Sequence, residues 1–582
     1  MQDSALIGPR DEYTFTPQFE PSERGTGRGN QRFGSTRQPK TARTSSRLAE
    51  AIHQGLGRLL RAANRPNGLG LRAVVLVVPK LVATRTLSPA IWLAIAAAPV
   101  LIGVCVYLVL FDNLFPMVEY RQWIHFPTTL NWALQQSFFP SGTYNRSLPL
   151  WLTRAFYLTC GGSVRWSNAL LLSMLFVSWA STVAIMGMIS GWRYPVIAAL
   201  SMAAVIFSEP ALSAASWQAT CLDRAAAMFT SLSLAVYLAA SRYGVITRII
   251  IGNTVVLLLV FCAYNSKEAA WPLVPSLVMM GLIVAAEATF QKRMTVVAAT
   301  LVAPMLYAGY SIGRTVAHHL GSTIADVHNF GGDVFTNTSR YLQYMFGFVD
   351  RPQATLATAV VLVTISAIVV LVPSRGQQRF KQWLIWAGLS FIMALVPPAK
   401  TQFTSAFYLL VPEIFFAILV FLLVAMMMEM AKTRPLRSAV YAAIAVVAIC
   451  YSLSFAKRFP FYSIVASTSD GVRSTLATLA QTDPDGKNPV RLLYPQQAYL
   501  AHQFLSDEKL GWNLGEYVFG FGTSQAAAFE KQMSVAPYTG DAFARETRDG
   551  ALNVVLDERL RITKIVSCVV PAKEGPDLLS NP

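Results

Sequence analysis

The chain has 582 residues, of which 54% are hydrophobic and only 14% charged, with a mean hydropathy of +0.43. A soluble globular domain cannot cover that much apolar surface, so the composition excludes that class and points to a polytopic membrane protein. The net charge of +17 is concentrated: between Arg24 and Arg85, thirteen Lys/Arg stand against one acid, Glu50.

That basic stretch carries no folded nucleic-acid module and no interleaved aromatics, so no nucleic-acid partner is expected. A cytosolic tail held near anionic lipid is the expectation instead. Residues 1–45, rich in Gly, Ser, Thr, Arg and Pro, cannot bury enough apolar area to fold and are read as a disordered basic tail. Residues 46–87 form a juxtamembrane segment. Within it, Leu48, Ile52, Leu56, Leu59 and Leu60 recur at helical spacing among Arg47, Arg58 and Arg61, as in an amphipathic helix lying on a membrane surface. No cleavable signal peptide is visible, so the first span is expected to act as an uncleaved anchor.

The membrane domain is expected over 88–456. Ser88 and Pro89 mark a helix start, and the residues from Ile91 to Leu110 carry no charge. Further apolar runs lie near 168–190, 194–208, 225–241, 249–264, 271–286, 294–312, 354–373, 383–398, 406–428 and 438–456, which makes about eleven spans of an all-α bundle. With the tail inside, the inner turns hold Arg193; Arg242 and Arg248; Lys292 and Arg293; Arg375, Arg379 and Lys381; and Lys432, Arg434 and Arg437. Every inner turn is basic, as the positive-inside rule asks. Two outer loops are long, 112–167 and 313–353. The first contains "TTLNWALQQSFF" and "LPLWLTRAFYLTCG", aromatic and amphipathic like helices in the interface. Residues 457–582 are polar and read as a small extracytoplasmic α/β domain, with strand-like "VRLLYP", "LNVVLD" and "KIVSCVV" and helix-like "TSQAAAFEKQM".

Six cysteines show no CxxC and no metal spacing. Cys160 and Cys221 could form a disulfide on an oxidising face. His318, His319, His328, Asp326 and Asp333 are read as a polar loop, so neither a metal nor another cofactor is expected. Asn145-Arg146-Ser147 and Asn337-Thr338-Ser339 fit the N-glycosylation pattern. There is no P-loop, no HExxH and no GxGxxG after a strand, which removes support for ATP-driven transport and zinc proteolysis.

What remains is a set of polar residues at the outer ends of spans. Asp112 closes the first span and Glu119 follows it; "SEP" (208–210) closes the third and "CLDR" (221–224) opens the fourth. "NSKEAAWP" (265–272) joins the fifth and sixth, "PPAKTQF" (397–403) joins the ninth and tenth, and Glu413 lies inside the tenth. Ionisable groups at membrane depth usually mark a site or a pairing.

This layout resembles the GT-C superfamily of membrane glycosyltransferases, nearest the branch with O-mannosyltransferase-like and TMTC-like proteins. The resemblance rests on "NRSLPLWLTRAFYLTCGGSVRWSNALLL", "AVIFSEPALSAASWQATCLDRAAAMFTSLSLAVYL", "YNSKEAAWPLVPSLVM", "SRYLQYMFGF" and "FYLLVPEIFFAIL", over roughly 100–425. The chain departs from that pattern in having Asn113 where a second acid often follows Asp112, Glu209-Pro210 for His-Pro, and Asp223-Arg224 for the reversed order. The resemblance implies a sugar moved from a polyprenyl-phosphate donor to an envelope glycan or lipid, such as O-antigen, with Asp112 as general base. On the chemistry of such a transfer, Glu119 would bind the acceptor or orient its loop, and Lys267, Arg224 and Lys400 are cations that could face the leaving phosphate. Glu209, Glu268 and Glu413 complete the candidate substrate-binding set. The expected location is a bacterial inner membrane, N-terminus cytoplasmic and C-terminal domain periplasmic. The alternatives are a transporter or flippase for lipid-linked sugars, or a non-catalytic envelope assembly protein.

Overall fold

A computed structural model describes residues 88–112, 129–138, 146–285, 289–321, 332–347, 351–371, 378–401 and 404–431, short pieces between 433 and 482, and strands at 490–495, 533–538, 552–557 and 561–567. The expected tail, the amphipathic segment at 46–64, Glu119, Asn145 and most of 438–456 lie outside them.

The described membrane region is a helical bundle. Seven helices are long and apolar enough to cross a bilayer: Val164–Ser190, Cys221–Ala240, Val245–Tyr264, Phe290–Ala317, Pro352–Leu371, Gln378–Lys400 and Ala406–Met430. Two bent pairs, Pro89–Ala96 with Ala98–Phe111 and Pro195–Ile206 with Glu209–Ser216, qualify as broken spans, and Glu268–Val284 is a shorter apolar helix. Ten of the eleven expected runs are therefore helical among the described residues.

Local sequence explains the starts and breaks. In α1 (Pro89–Ala96), the Ser88 hydroxyl accepts from the Ile91 N–H at 3.4 Å and Pro89 takes the first turn, where its missing N–H costs nothing. Pro99 then sits in the first turn of α2 (Ala98–Phe111), and the pair bends by 40°. In the outer loop, α3 (Leu130–Phe138) and α4 (Ser147–Thr159) are helical as expected. Ser163 caps α5 (Val164–Ser190), which Gly191 ends at φ 62°. The break between α6 (Pro195–Ile206) and α7 (Glu209–Ser216) is 52°, with Ser208 as cap and Pro210 in the first turn.

α8 (Cys221–Ala240) packs along α5. Next, α9 (Val245–Ile251) runs through a π-helical stretch, Gly252–Val256, into α10 (Leu257–Tyr264). That stretch faces a defect in its neighbour α12 (Phe290–Gly321), where Pro304 interrupts the backbone ladder. Asn253 patches the gap. Its Nδ2 donates to Ile249 O at 3.0 Å and Ala299 O at 2.8 Å, and its Oδ1 accepts from Ala303 N at 2.9 Å. Gly252 lets the backbones meet: a Cβ there would lie 1.9 Å from Thr300 O.

The remaining helices are α11 (Leu273–Val284), α13 (Val334–Phe346), α14 (Pro352–Leu371), α15 (Gln378–Lys400) and α16 (Leu410–Met430). The segment 313–353, expected as a long outer loop, carries helix among its described residues: α12 continues to Gly321, and α13 follows at Val334–Phe346. α13 has a purpose that hydropathy cannot show. The end of α15 contains Pro397 and Pro398 and leaves carbonyls without helical partners. Asn337 Nδ2 donates to Ala399 O (3.0 Å) and Thr401 O (2.8 Å), and Tyr341 Oη donates to Pro398 O (3.3 Å). Asn337 is thus buried and committed, which removes the second glycosylation reading.

Two ends of the bundle are distinguishable. At one, Trp92 Nε1 donates to Arg193 O at 2.8 Å, Arg193 pairs with Glu429 at 3.6 Å, and Arg242 lies 5.9 Å over the Trp192 ring. These contacts gather the start of the first span, the turns at 191–194 and 241–244, and the end of α16. Trp192 and Tyr194 hold positive φ (64° and 62°) there, a conformation that non-glycine residues rarely take. Trp192 packs edge-on to Trp92, and the Tyr194 hydroxyl donates to Glu429.

In the C-terminal region, β1 (Val490–Pro495), β2 (Met533–Tyr538), β3 (Leu552–Leu556) and β4 (Ile562–Ser567) form a sheet in the order β2-β1-β3-β4. β1 is parallel to both β2 and β3, and β4 is antiparallel to β3. Three of these strands are the ones expected from sequence. β2 begins at Met533, the last residue of the stretch read as helical; the rest of that stretch lies outside the described residues.

Candidate active site at one end of the bundle

The opposite end collects the residues singled out from sequence. Asp112 is the C-cap of α2, where the chain leaves the first span. Its Oδ2 accepts from Arg165 Nε at 2.7 Å, with Asp112 17% exposed and Arg165 61% exposed. Asn168, one turn further along α5, donates from Nδ2 to Phe111 O and ties the same corner down. Arg165 therefore steadies one carboxylate oxygen, and among the described residues Oδ1 has no hydrogen-bond partner. Arg473, from the helical residues after the last span, lies within electrostatic range of Asp112 and pairs with Asp470 at 3.2 Å. Burial pushes the Arg473 guanidinium below its ordinary value, against the pull of Asp470 and Asp112.

A second cluster is buried. Lys267, in the turn before α11, donates from Nζ to Asp223 Oδ2 at 2.9 Å; the two side chains are 9% and 3% exposed. The ammonium also sits over the Tyr408 ring at 4.1 Å and near Phe407 at 5.5 Å. Burial lowers the Lys267 pKa from its ordinary value, and the Asp223 charge opposes that shift. Glu268, the next residue, pairs with Arg146 at 3.5 Å. Arg146 is the N-cap of α4, so this ion pair fastens the outer-loop helix to the turn between two spans. The result is a run of alternating charges, Asp223, Lys267, Glu268 and Arg146, at the boundary of the apolar bundle.

Asp223 and Arg224 are adjacent but about 100° apart on α8, so they serve different neighbours. Arg224 is fully buried and turns back on the chain. Its Nη2 donates to Trp217 O (2.8 Å) and Gln218 O (3.3 Å), and its Nε to Thr220 Oγ1 (3.2 Å). It braces the 3₁₀ turn at Gln218–Thr220. Glu209 is half-buried in the first turn of α7. Lys400 is exposed at the end of α15. Glu413 is 2% exposed, and its Oε1 accepts from Ser208 Oγ at 2.6 Å. Ser208 in turn accepts from Ala211 N at 3.2 Å, so Glu413 links α16 to the cap of α7.

Four contributors are not singled out by sequence: Arg146, Arg165, Tyr408 and Arg473. The alternation of spans could have found Arg165, since the helix that returns from the outer loop must begin at the end where Asp112 sits. Arg473 carries no such signal. The Cys160–Cys221 disulfide is corrected, because neither sulfur is disulfide-bonded and Thr153 Oγ1 donates to the buried Cys221 sulfur at 3.4 Å. No group of three or more His, Cys, Asp or Glu able to hold a metal occurs among the described residues. Asp333 instead caps α13, accepting from Phe335 N at 3.0 Å and from the Thr336 hydroxyl at 2.5 Å.

No family model matches the sequence. No curated protein matches it either. Two solved structures overlap it, ArnT from Cupriavidus metallidurans in the apo state at 13% identity and the same protein bound to undecaprenyl phosphate at 15%. Each overlap covers 81% of this chain and 94% of the other, with a TM-score of 0.40. A likeness at that score carries no inference about the site.

Proposed function

We propose that the protein is an integral membrane glycosyltransferase of GT-C type, which moves a sugar from a polyprenyl-phosphate donor to an envelope glycan or lipid. The observation that carries this reading is the convergence at one end of the bundle. The steadied carboxylate of Asp112 and the Asp223–Lys267–Glu268–Arg146 charges occupy the end where a polyprenyl chain would leave the bilayer. A donor of this kind has its tail in the apolar region and its phosphate at the boundary, so its reacting carbon lies at that depth.

In the proposed reaction the acceptor hydroxyl oxygen bonds to the sugar's anomeric carbon. The bond from that carbon to the phosphate oxygen breaks, and polyprenyl phosphate leaves with the electron pair. The hydroxyl proton passes to Asp112 Oδ1. Arg165 holds Oδ2, and its exposed guanidinium, with exposed Lys400, is available to the phosphate. Lys267 is committed to Asp223 and Tyr408, so its part is to fix the turn that carries Glu268. Arg224 and Glu413 likewise hold the backbone of 208–220, and the proposed role of Glu209 and Glu119 is to bind the acceptor. O-antigen is the proposed acceptor and the outer face of a bacterial inner membrane the proposed location.

Asp112→Asn tests the reading. Transfer of radiolabelled sugar from polyprenyl phosphate should fall by about 10²–10⁴-fold, with expression and insertion unchanged. Retained transfer refutes Asp112 as the base. Movement of lipid-linked sugar across the bilayer without transfer by the wild type refutes the enzyme class.

A further inference from the structure

Glu413 lies about two turns inside the span Ala406–Met430, at a depth where an isolated carboxylate is very costly. One oxygen is satisfied by Ser208, but Oε2 is buried and has no hydrogen-bond partner among the described residues. It borders a small internal cavity of about 10 Å³, lined by Ser178, Trp179 and Thr182 of α5 together with aliphatic side chains of α6, α8 and α16. A space of that size holds a single water-sized occupant.

Among the described residues, the surroundings supply oxygens and no positive charge. Thr182 Oγ1 donates to Ser178 O at 2.8 Å, so its lone pairs remain to accept or ligate. From α2, Tyr107 is the titratable neighbour, and its hydroxyl is already donated to Ile206 O at 2.5 Å. Ser208 is the polar neighbour from the α6–α7 break. Among the described residues, no Lys, Arg or His lines the cavity or pairs with Glu413. The cavity therefore needs a small cation or a proton to balance the carboxylate, and it offers hard oxygen donors, which suit an alkali cation.

We propose that this cavity is a binding site for one monovalent cation, held by Glu413 Oε2 with the hydroxyl oxygens of Ser178 and Thr182, for which protons compete. Occupancy is transmitted to the outer end, because the other oxygen of Glu413 fixes Ser208 at the 52° break between α6 and α7. The proposal is independent of the transferase reading.

The test uses the full chain in detergent, with Li⁺, Na⁺ or K⁺ chloride exchanged against N-methylglucamine chloride at constant ionic strength and pH. At least one alkali cation should raise the melting temperature saturably, by roughly 2–4 °C. The same cation should protect Glu413 from dicyclohexylcarbodiimide, which labels only the protonated carboxyl. Glu413→Gln should lose both effects. If that variant does not fold, Thr182→Val should still raise the half-saturating cation concentration by about tenfold. Indifference of the wild type to all three cations, or an undiminished shift in Glu413→Gln or Thr182→Val, overturns the proposal.

Discussion

Replacing Asp223 with Asn would leave the Lys267 ammonium buried without its counter-charge. At 2.9 Å the pair gains roughly 6 kcal/mol of gross attraction at an effective dielectric of about 20. Desolvation of two ions, several kcal/mol each, takes back most of that. The net value of the intact pair is therefore small, while the penalty for half of it is large. The Tyr408 ring at 4.1 Å offers about 2 kcal/mol, which is too little to hold the ammonium alone. Asp223→Asn should destabilise by about 3–5 kcal/mol. Adding Lys267→Met should bring stability back to within about 1.5 kcal/mol of wild type, since an uncharged Asn–Met pair of similar volume leaves no buried charge without its partner. Reversible unfolding in mixed micelles, run as a double-mutant cycle, reads both values. A loss below about 1 kcal/mol for Asp223→Asn, or single effects that add within about 0.5 kcal/mol, would refute the reasoning.

Gly252→Ala should destabilise by about 3 kcal/mol, because its Cβ meets the fixed Thr300 carbonyl rather than a movable side chain; thermal unfolding of the purified protein measures it. Asn253→Leu should cost about 1–3 kcal/mol by stripping the partners of Ala299 O and Ala303 N, and hydrogen exchange should show α12 opening near Pro304. Asp333 is held below its ordinary 3.8, first by the Thr336 hydroxyl and then by the Phe335 amide. Its cap is thus complete above the unfolded carboxyl value and is lost as pH falls through the lower folded value. Exchange of the α13 amides should accelerate in strong acid in the wild type, and Asp333→Asn should flatten that response. Arg165→Gln should lower transfer more than it lowers stability, since its partner is Asp112 and its own side chain is largely exposed; equal losses in both would speak against a role at the site.

Composition and periodicity by themselves determined the membrane class and ten helical runs, and they placed the first helix start at Ser88 and Pro89 and the end of the third span at 208–210; the bends at Pro99 and Pro210 and the Ser208 cap came from the structure. Apolar runs can be read this way because a bilayer demands some 20 residues whose backbone is satisfied internally, whatever surrounds them. The basic turns also pointed to one common end, and the contacts of Arg193 and Arg242 gather there. Roles of single side chains were not legible. Arg224 and Lys267 look alike in sequence as cations near an interface, yet one binds three oxygens of its own turn and the other a carboxylate on another helix. Asn337 matches a glycosylation pattern and instead caps a helix 62 residues away. Glu413 looked like a membrane-depth pairing residue, and only the packing of α2, α5, α6 and α16 gave it one hydroxyl and one cavity and, among the described residues, no cationic partner. Those assignments depend on which atoms meet across long sequence separations, and tertiary structure alone decides that.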